Sequence, residues 1–147
     1  MLIDRRPGRA EAGMQINWLG VVLAVLAGRI VAGIWYGKLF LATWWKLTGI
    51  TPEQSKAASN RNVINMTLAN ATTALGLAAA IAVTSSATDI EAVWLALVVG
   101  FAAWLGFSAT TLLVHNTFEL KPSKLTAINS GYQLALFLAM SLTIGLL

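Results

Sequence analysis

Residues 16–36 read INWLGVVLAVLAGRIVAGIWY, and this stretch decides the fold. Its single charge is Arg29, and its length matches the roughly 20 apolar residues that a helix needs to cross a bilayer. Three further stretches of similar polarity follow, at about residues 63–84, 92–114 and 125–147. The sequence therefore predicts four transmembrane helices.

The composition excludes an ordinary soluble domain. Hydrophobic residues make up 57% of the 147 residues, charged residues only 11%, and the mean hydropathy is +0.71. Soluble domains carry about 25% charged residues, which cover their surface. The polar residues 1–15 are predicted to form a tail, and residues 16–147 a single membrane domain. Cysteine is absent, which excludes disulfides and thiolate metal sites.

The loops indicate how the spans are arranged. Those after spans 2 and 3 are short, so consecutive spans are predicted to lie antiparallel in an all-α four-helix bundle. The first loop is longer, and its segment 38–47 alternates Lys with Leu, Phe and Trp, which favours a short helix lying in the membrane interface. In the same loop Thr51 and Pro52 resemble the start of another helical turn.

The distribution of Lys and Arg predicts the orientation of the chain. The loops after spans 1 and 3 together carry six of these residues, and the loop after span 2 carries none. Because basic residues accumulate on the cytoplasmic side, loops 1 and 3 are predicted to be cytoplasmic. Three arginines in the N-terminal tail oppose this assignment. With a net charge of +4, the expected partner is a bilayer with anionic headgroups, not nucleic acid.

Several segments carry a resemblance to a known family. INWLG and IWYG in span 1, WLGF and the HNTFE turn around span 3, and INSGY in span 4 resemble the small bacterial membrane family catalogued as domain of unknown function 1761. The resemblance covers residues 14–147. It implies four spans and a bacterial inner membrane, and it supplies no catalytic residue. Arg29 stands at a position that is usually apolar in that family.

Arg29 is the most costly residue in the spans. A charge near the bilayer centre costs about 2.5–3.5 kcal/mol on insertion scales. Its side chain either extends to the headgroups at the end of span 1 or pairs with Glu119 or His115 in the bundle. Both alternatives are open at this point.

His115 and Glu119 are four residues apart and share a face if span 3 continues through them. A metal site, a proton-handling pair and haem or chlorophyll ligation by His115 are the functional readings. A zinc site needs three or four ligands, and His115 is the only histidine. The structural reading makes His115 and Asn116 the end of span 3, with Glu119 beside a cation. We therefore expect no metal and no cofactor.

Two further sets of polar or small residues are predicted to mediate helix contacts. Asn129 and Tyr132 are three residues apart in span 4 and are expected to form a buried polar cluster. Small residues recur every four positions in span 1, at Gly20, Ala24, Gly28 and Ala32. Span 2 is predicted to pack through one face, which contains Asn62, Asn65, Ala69, Thr73, Gly76 and Ala80.

Two functions from different classes fit these features. The first is a non-enzymatic membrane protein that acts by assembling, either as a homo-oligomer or as a subunit of a larger membrane complex. The second is a small transporter or channel with a polar path through Arg29, His115 and Asn129. The sequence contains no catalytic constellation, so an enzyme is the third choice.

Overall fold

The first membrane helix begins at a polar cap. The Asn17 side-chain oxygen accepts a hydrogen bond from the Gly20 amide at 2.9 Å, which satisfies one of the free N–H groups of the first turn. The computed structural model describes residues 16–147, so the predicted tail of residues 1–15 lies outside the described residues. Within this range the helices are α1 Trp18–Ile34, α2 Leu41–Thr48, α3 Pro52–Ala57, α4 Ser59–Thr88, α5 Val93–Ala103, α6 Thr110–Phe118 and α7 Ser123–Gly145.

Two π-helical segments interrupt the regular helices. Residues Trp35–Leu39 continue α1, and residues Trp104–Ala109 join α5 to α6. With these segments included, four helices are long and apolar enough to span a membrane: Trp18–Leu39, Ser59–Thr88, Val93–Phe118 and Ser123–Gly145. The prediction of four spans in an all-α bundle is confirmed.

The predicted short helix between the first two spans is also confirmed, as α2. Its C-terminal cap is Gly49, whose φ of 69° lies in the left-handed region that glycine adopts without a steric penalty.

The following helix α3 begins with a capping box, in which Thr51 and Gln54 each bond the other's backbone amide. Hydrogen bonds from its own backbone amide and from Thr51 lower the pKa of the exposed Glu53.

Helix α7 makes the most extensive contacts with the other spans. It packs along α1 on one side and α5 on the other, while α4 contacts α1, α5 and α7. Since the chain reverses direction at each loop, consecutive spans run antiparallel, and so do the first and the last, α1 and α7. The core combines alanines with large side chains: Ala24, Ala74 and Met140 are completely buried, and Leu77 and Leu136 are nearly so. Many other large hydrophobic side chains lie on the outside, as lipid-facing surfaces require.

Glycines permit the close approach of α7 to its neighbours. A Cβ added at Gly28 would lie 2.8 Å from Leu136 Cδ1 and 2.9 Å from Asn70 Nδ2. At Gly100 it would collide with the Ser141 hydroxyl. The predicted small-residue stripe of α1 is confirmed, because all four of its members are buried: Gly20, Ala24, Gly28 and Ala32.

The predicted packing face of α4 is wrong for contacts within the chain. The buried positions are Asn70, Ala74, Leu77 and Ala78. Of the predicted face, Asn62, Asn65, Ala69 and Gly76 are exposed, and Thr73 and Ala80 are half-buried. The buried face is displaced by one residue, which is a rotation of about 100° around the helix. Alanines occur on both faces, so small side chains alone could not distinguish them.

We expect Gly28→Ala to destabilise the bundle by about 1–3 kcal/mol, because the added methyl group overlaps Leu136 and Asn70 in a core with little space to adjust. The measurement is the unfolding free energy in detergent, with SDS as the denaturant. Gly33→Ala is the matched control, since a Cβ there meets nothing within 4 Å. Equal stability of the two variants would contradict the close contact.

Candidate functional site

A polar and aromatic cluster lies at the end of the bundle where loops 1 and 3 meet. The Tyr36 hydroxyl donates to Asn129 Oδ1 at 2.8 Å, and the Tyr36 and Tyr132 rings are 4.9 Å apart. Tyr132 is buried, and Asn129 is half-buried one turn before it. The structure thus brings Asn129 and Tyr132 together as predicted, and it adds Tyr36 from the first span.

The π-helical segment at the end of span 1 positions Tyr36. It begins at Trp35, whose indole N–H donates to the Ile128 carbonyl of α7 at 3.1 Å. The ring lies against Gly131, where an added Cβ would be 3.0 Å from Trp35 Cζ2. Gly131 therefore provides the space that Trp35 needs, and the bond fixes the segment that carries Tyr36. π-helical turns of this kind occur frequently at functional sites.

Trp104 makes the equivalent contact on the other side of α7. It begins the second π-helical segment, and its indole N–H donates to the Ser130 carbonyl at 3.0 Å. A carbonyl oxygen has two lone pairs, so these carbonyls can accept a side-chain donor beside their helical bond. The indole of Trp104, which lies in the middle of its span, is thus paired with a backbone carbonyl. Trp35 and Trp104 together hold α7 from opposite sides.

A cavity of about 540 Å³ opens beside the Tyr36–Asn129 pair. Its walls come from the end of span 1, α2, α3, α4, α6 and α7. Aromatic and amide groups dominate the lining, and no charged side chain is among the described residues that form it. The lining side chains with polar atoms include Tyr36, Trp45, Ser55, Asn62, Asn129 and Gln133.

Trp45 has the most unusual position in this lining. Its indole nitrogen is buried and has no hydrogen-bond partner among the described residues. An unpartnered buried donor costs about 1–3 kcal/mol. The neighbouring Trp44 packs edge-on against Tyr36, with ring centroids 5.9 Å apart, so α2 is held over the cavity by aromatic contacts.

Arg29 lies apart from this cavity. Its guanidinium donates to the Thr67 hydroxyl of α4 at 2.6 Å, and that hydroxyl donates in turn to the Val63 carbonyl. Of the two alternatives left open by the sequence, the contact with Glu119 or His115 is not formed. Arg29 instead binds a neutral hydroxyl at the part-buried contact between α1 and α4. In residues 16–147 the ion pair within 4.0 Å joins Glu119 to Lys121, at 3.9 Å on the exposed surface.

The segment HNTFE forms the end of a helix. α6 stops at Phe118 and Glu119 caps it, with its amide bonding the His115 carbonyl at 3.0 Å, and both side chains are exposed. The Lys121 amide bonds the Asn116 carbonyl and the Leu120 amide bonds the Thr117 carbonyl, with Leu120 at a φ of 53°. This is a Schellman cap, with leucine at a position where glycine is usual.

Asn116 is the member of this segment that contacts the rest of the bundle. Its amide nitrogen donates to the Thr126 hydroxyl of α7 at 2.9 Å. The bond connects the two helices across loop 3, so Asn116 has a structural role beside this turn. The six polar residues that the sequence singled out therefore have different surroundings. Asn129 and Tyr132 line the cavity, Asn116 bonds α7, Arg29 bonds α4, and His115 and Glu119 are exposed.

Sequence reasoning missed Tyr36, Trp45 and Gln133 as members of the site. Tyr36 and Trp45 lie near the end of span 1, where aromatic residues commonly anchor a helix at the headgroups, so their position alone does not indicate a site. One signal is available for Tyr36, because its hydroxyl and the Asn129 amide both need hydrogen-bond partners within a span. Trp45 reaches the cavity because loop 1 passes over α7. No periodic pattern in the sequence indicates this path.

The fold and the site together define a multi-pass membrane protein with four spans and an uncharged aromatic cavity at one end. The chain belongs to the family described as "Protein of unknown function (DUF1761)", whose model matches residues 19–145. The resemblance drawn from the sequence motifs is thereby confirmed. No curated protein and no solved structure matches the chain.

We expect the Tyr36–Asn129 hydrogen bond to contribute about 0.6 kcal/mol, the average for polar contacts between membrane helices. A double-mutant cycle with Tyr36→Phe and Asn129→Leu measures it, using unfolding free energies in detergent. The two substitutions should be non-additive by that amount. Strictly additive effects would show that the two side chains do not interact in the folded protein.

Proposed function

We propose that the protein is a non-enzymatic membrane subunit that assembles with further copies of itself through α4. The supporting observation is the outer face of α4, defined by Asn62, Asn65, Ala69 and Gly76, which is exposed on the bundle. Asn65 lies about 9 Å along α4 from its start, at 1.5 Å per residue, so it reaches toward the hydrocarbon region. An amide facing lipid has no partner for its hydrogen bonds.

A second copy of the chain would supply hydrogen-bond partners for the amides on the outer face of α4. Each carboxamide offers both donors and acceptors, so the same face on two copies is self-complementary about a two-fold axis. Ala69 and Gly76 lie on the same face, and at Gly76 an added Cβ would meet nothing within 4 Å. Small residues at this spacing allow two helix backbones to approach closely in a membrane.

The transport alternative has less support in the geometry. Its path requires Arg29, His115 and Asn129 to line one route. Arg29 instead bonds Thr67, Asn129 bonds Tyr36, and His115 is exposed at the end of α6. These three side chains therefore belong to three separate surroundings, and no shared polar route joins them among the described residues.

We expect Gly76→Leu to convert the assembly into monomers, because the larger side chain separates the two α4 backbones. The measurement is native mass spectrometry from mild detergent, which also distinguishes a homo-oligomer from a complex with a different protein by mass. Gly33→Leu is the matched control, since Gly33 is likewise exposed in a span with open space around it. A monomeric parent protein, or a Gly76→Leu variant that assembles normally, would overturn the proposal.

We also propose that the protein resides in a bacterial inner membrane with loops 1 and 3 in the cytoplasm. Basic residues support this orientation: Lys38, Lys46, Lys56 and Arg61 lie near the loop-1 end, and Lys121 and Lys124 near loop 3. At the opposite end of the described bundle, Asp89 and Glu91 lie in the loop between α4 and α5. Cytoplasmic loops carry this excess of positive charge.

The absence of cysteine makes the orientation directly measurable. We expect a cysteine introduced by Thr88→Cys to react with a membrane-impermeant maleimide in intact cells, because that position would face the outside. A cysteine introduced by Lys56→Cys should react only after the membrane is permeabilised. Both positions are exposed at helix ends, so accessibility alone does not separate them. The reverse labelling pattern would place loops 1 and 3 outside.

A further inference from the structure

We propose that a groove between the second half of span 3 and the start of α7 binds one anionic phospholipid. This loop-3 groove extends from Trp104 to Lys121, with Leu113 on one wall and Ala127 on the other. Its volume of about 420 Å³ lies within the usual range for small-molecule sites, about 300–1,000 Å³. None of its lining residues belongs to α4, so the site does not depend on the assembly proposed for that helix.

The direction of the loop-3 groove matches that of a phospholipid in the bilayer. Trp104 lies in the middle of the third span, whereas Lys121 lies three residues beyond the end of that span at Phe118. Along α7 the lining extends from Ser123 to Ser130, which is about 10 Å at 1.5 Å per residue. The groove therefore runs from the level of the headgroups toward the bilayer centre. It opens to the surrounding lipid, since Leu113 in its wall is 59% exposed.

The charge at the mouth of the groove selects the headgroup. Lys121 is the one charged side chain among the described residues of the lining, and Ser123 adds a hydroxyl two residues further on. An ammonium group and a hydroxyl both donate hydrogen bonds to phosphate oxygens, and the bond from the ammonium is the stronger because both partners are charged. A zwitterionic headgroup would bring its own cation beside Lys121. A lipid with a net negative charge is therefore favoured.

Glu119 competes with the phosphate for Lys121. Its carboxylate oxygen is 3.9 Å from Lys121 Nζ, and both side chains are about half exposed to solvent. An ion pair of this kind is weak, because water screens the two charges. The ammonium group of Lys121 thus remains available to a phosphate, and removal of the Glu119 charge should make it more so.

The deeper part of the groove accepts a hydrocarbon chain. Its polar groups already donate within the protein: the Trp104 indole to the Ser130 carbonyl, the Asn116 amide to the Thr126 hydroxyl, and the Thr117 hydroxyl to a backbone carbonyl. A chain can lie over these groups without breaking a hydrogen bond. The small side chains of Ala109 and Ala127 leave the space that the chain would occupy.

The test uses native mass spectrometry of protein that has been purified in mild detergent, stripped of lipid and titrated with single phospholipids of identical chains. We expect phosphatidylglycerol to bind roughly fivefold more tightly than phosphatidylcholine, and Lys121→Gln to abolish this preference. Lys124→Gln is the matched control and should bind as the parent does. Lys124 carries the same charge and is also exposed, but it lies outside the lining.

Two further variants separate loss of the site from loss of the fold. Glu119→Gln should bind phosphatidylglycerol more tightly than the parent, which a folding defect would not produce. Ala127→Phe should abolish the binding by filling the groove, since Ala127 is exposed in its wall. Val114→Phe is its control, because Val114 is 53% exposed on α6 outside the lining. Thermal unfolding of each variant checks that the bundle is preserved.

A preference for phosphatidylglycerol that depends on Lys121 and Ala127, and increases in Glu119→Gln, supports the site. Equal binding of phosphatidylglycerol and phosphatidylcholine, or tighter binding of phosphatidylethanolamine, would overturn it. So would a loss in Lys124→Gln as large as that in Lys121→Gln, because the attraction would then belong to the basic surface as a whole. Glycerol 1-phosphate carries the same phosphate without acyl chains. If it bound as tightly as the lipid, the groove would hold a free phosphate and the proposal of a lipid site would fail.

Discussion

The bundle depends on how closely its other helices can approach α7. Gly28 of α1 and Gly100 of α5 leave no room for even one methyl group at their contacts with α7. In a membrane the lipid is as apolar as the helices, so association relies on close van der Waals contact and on hydrogen bonds between helices. The small residues allow the close van der Waals contact, and the tryptophans supply hydrogen bonds between helices.

The two indole bonds connect this packing to the site. Trp35 and Trp104 donate to carbonyls of α7 at Ile128 and Ser130, from opposite sides of the helix. Both tryptophans begin π-helical segments, so the irregular parts of spans 1 and 3 are the parts bonded to α7. Tyr36 follows Trp35 directly and thereby reaches Asn129. The cavity owes its polar wall to a contact that also holds the bundle together.

Much of this architecture could be predicted from the sequence, because bilayer thickness sets the length of an apolar helix. The spans, the helix of loop 1 and the small-residue stripe of α1 all follow from composition and spacing. The face of α4 could not be assigned in the same way. Asn65 and Asn70 are the same residue type five positions apart, and alanine occurs around the whole helix. Only the tertiary contacts place Asn70 inside and Asn65 outside.

The site was predictable only in part, for a related reason. Asn129 and Tyr132 lie within one regular helix, so their spacing predicts their shared face. His115 and Glu119 lie at a helix end with both side chains exposed, and nothing in their spacing indicates that this end points away from the bundle. Trp45 reaches the cavity through the path of a loop. The spacing of residues in the sequence predicts which side chains are neighbours on one helix. It says little about which side chains of two different helices come together.

The π-helical segments have a consequence for how tolerant this chain is of length changes. Each such turn accommodates one residue more than a regular turn would, so it separates the rotational setting of the helix before it from that of the helix after it. Loss of one residue between Trp35 and Leu39 would rotate α2 relative to α1 and carry Trp44 and Trp45 away from Tyr36. The spans could remain intact while the cavity disappeared. In this protein a single-residue deletion in the first π-helical segment is therefore expected to change the site and leave the four spans in place.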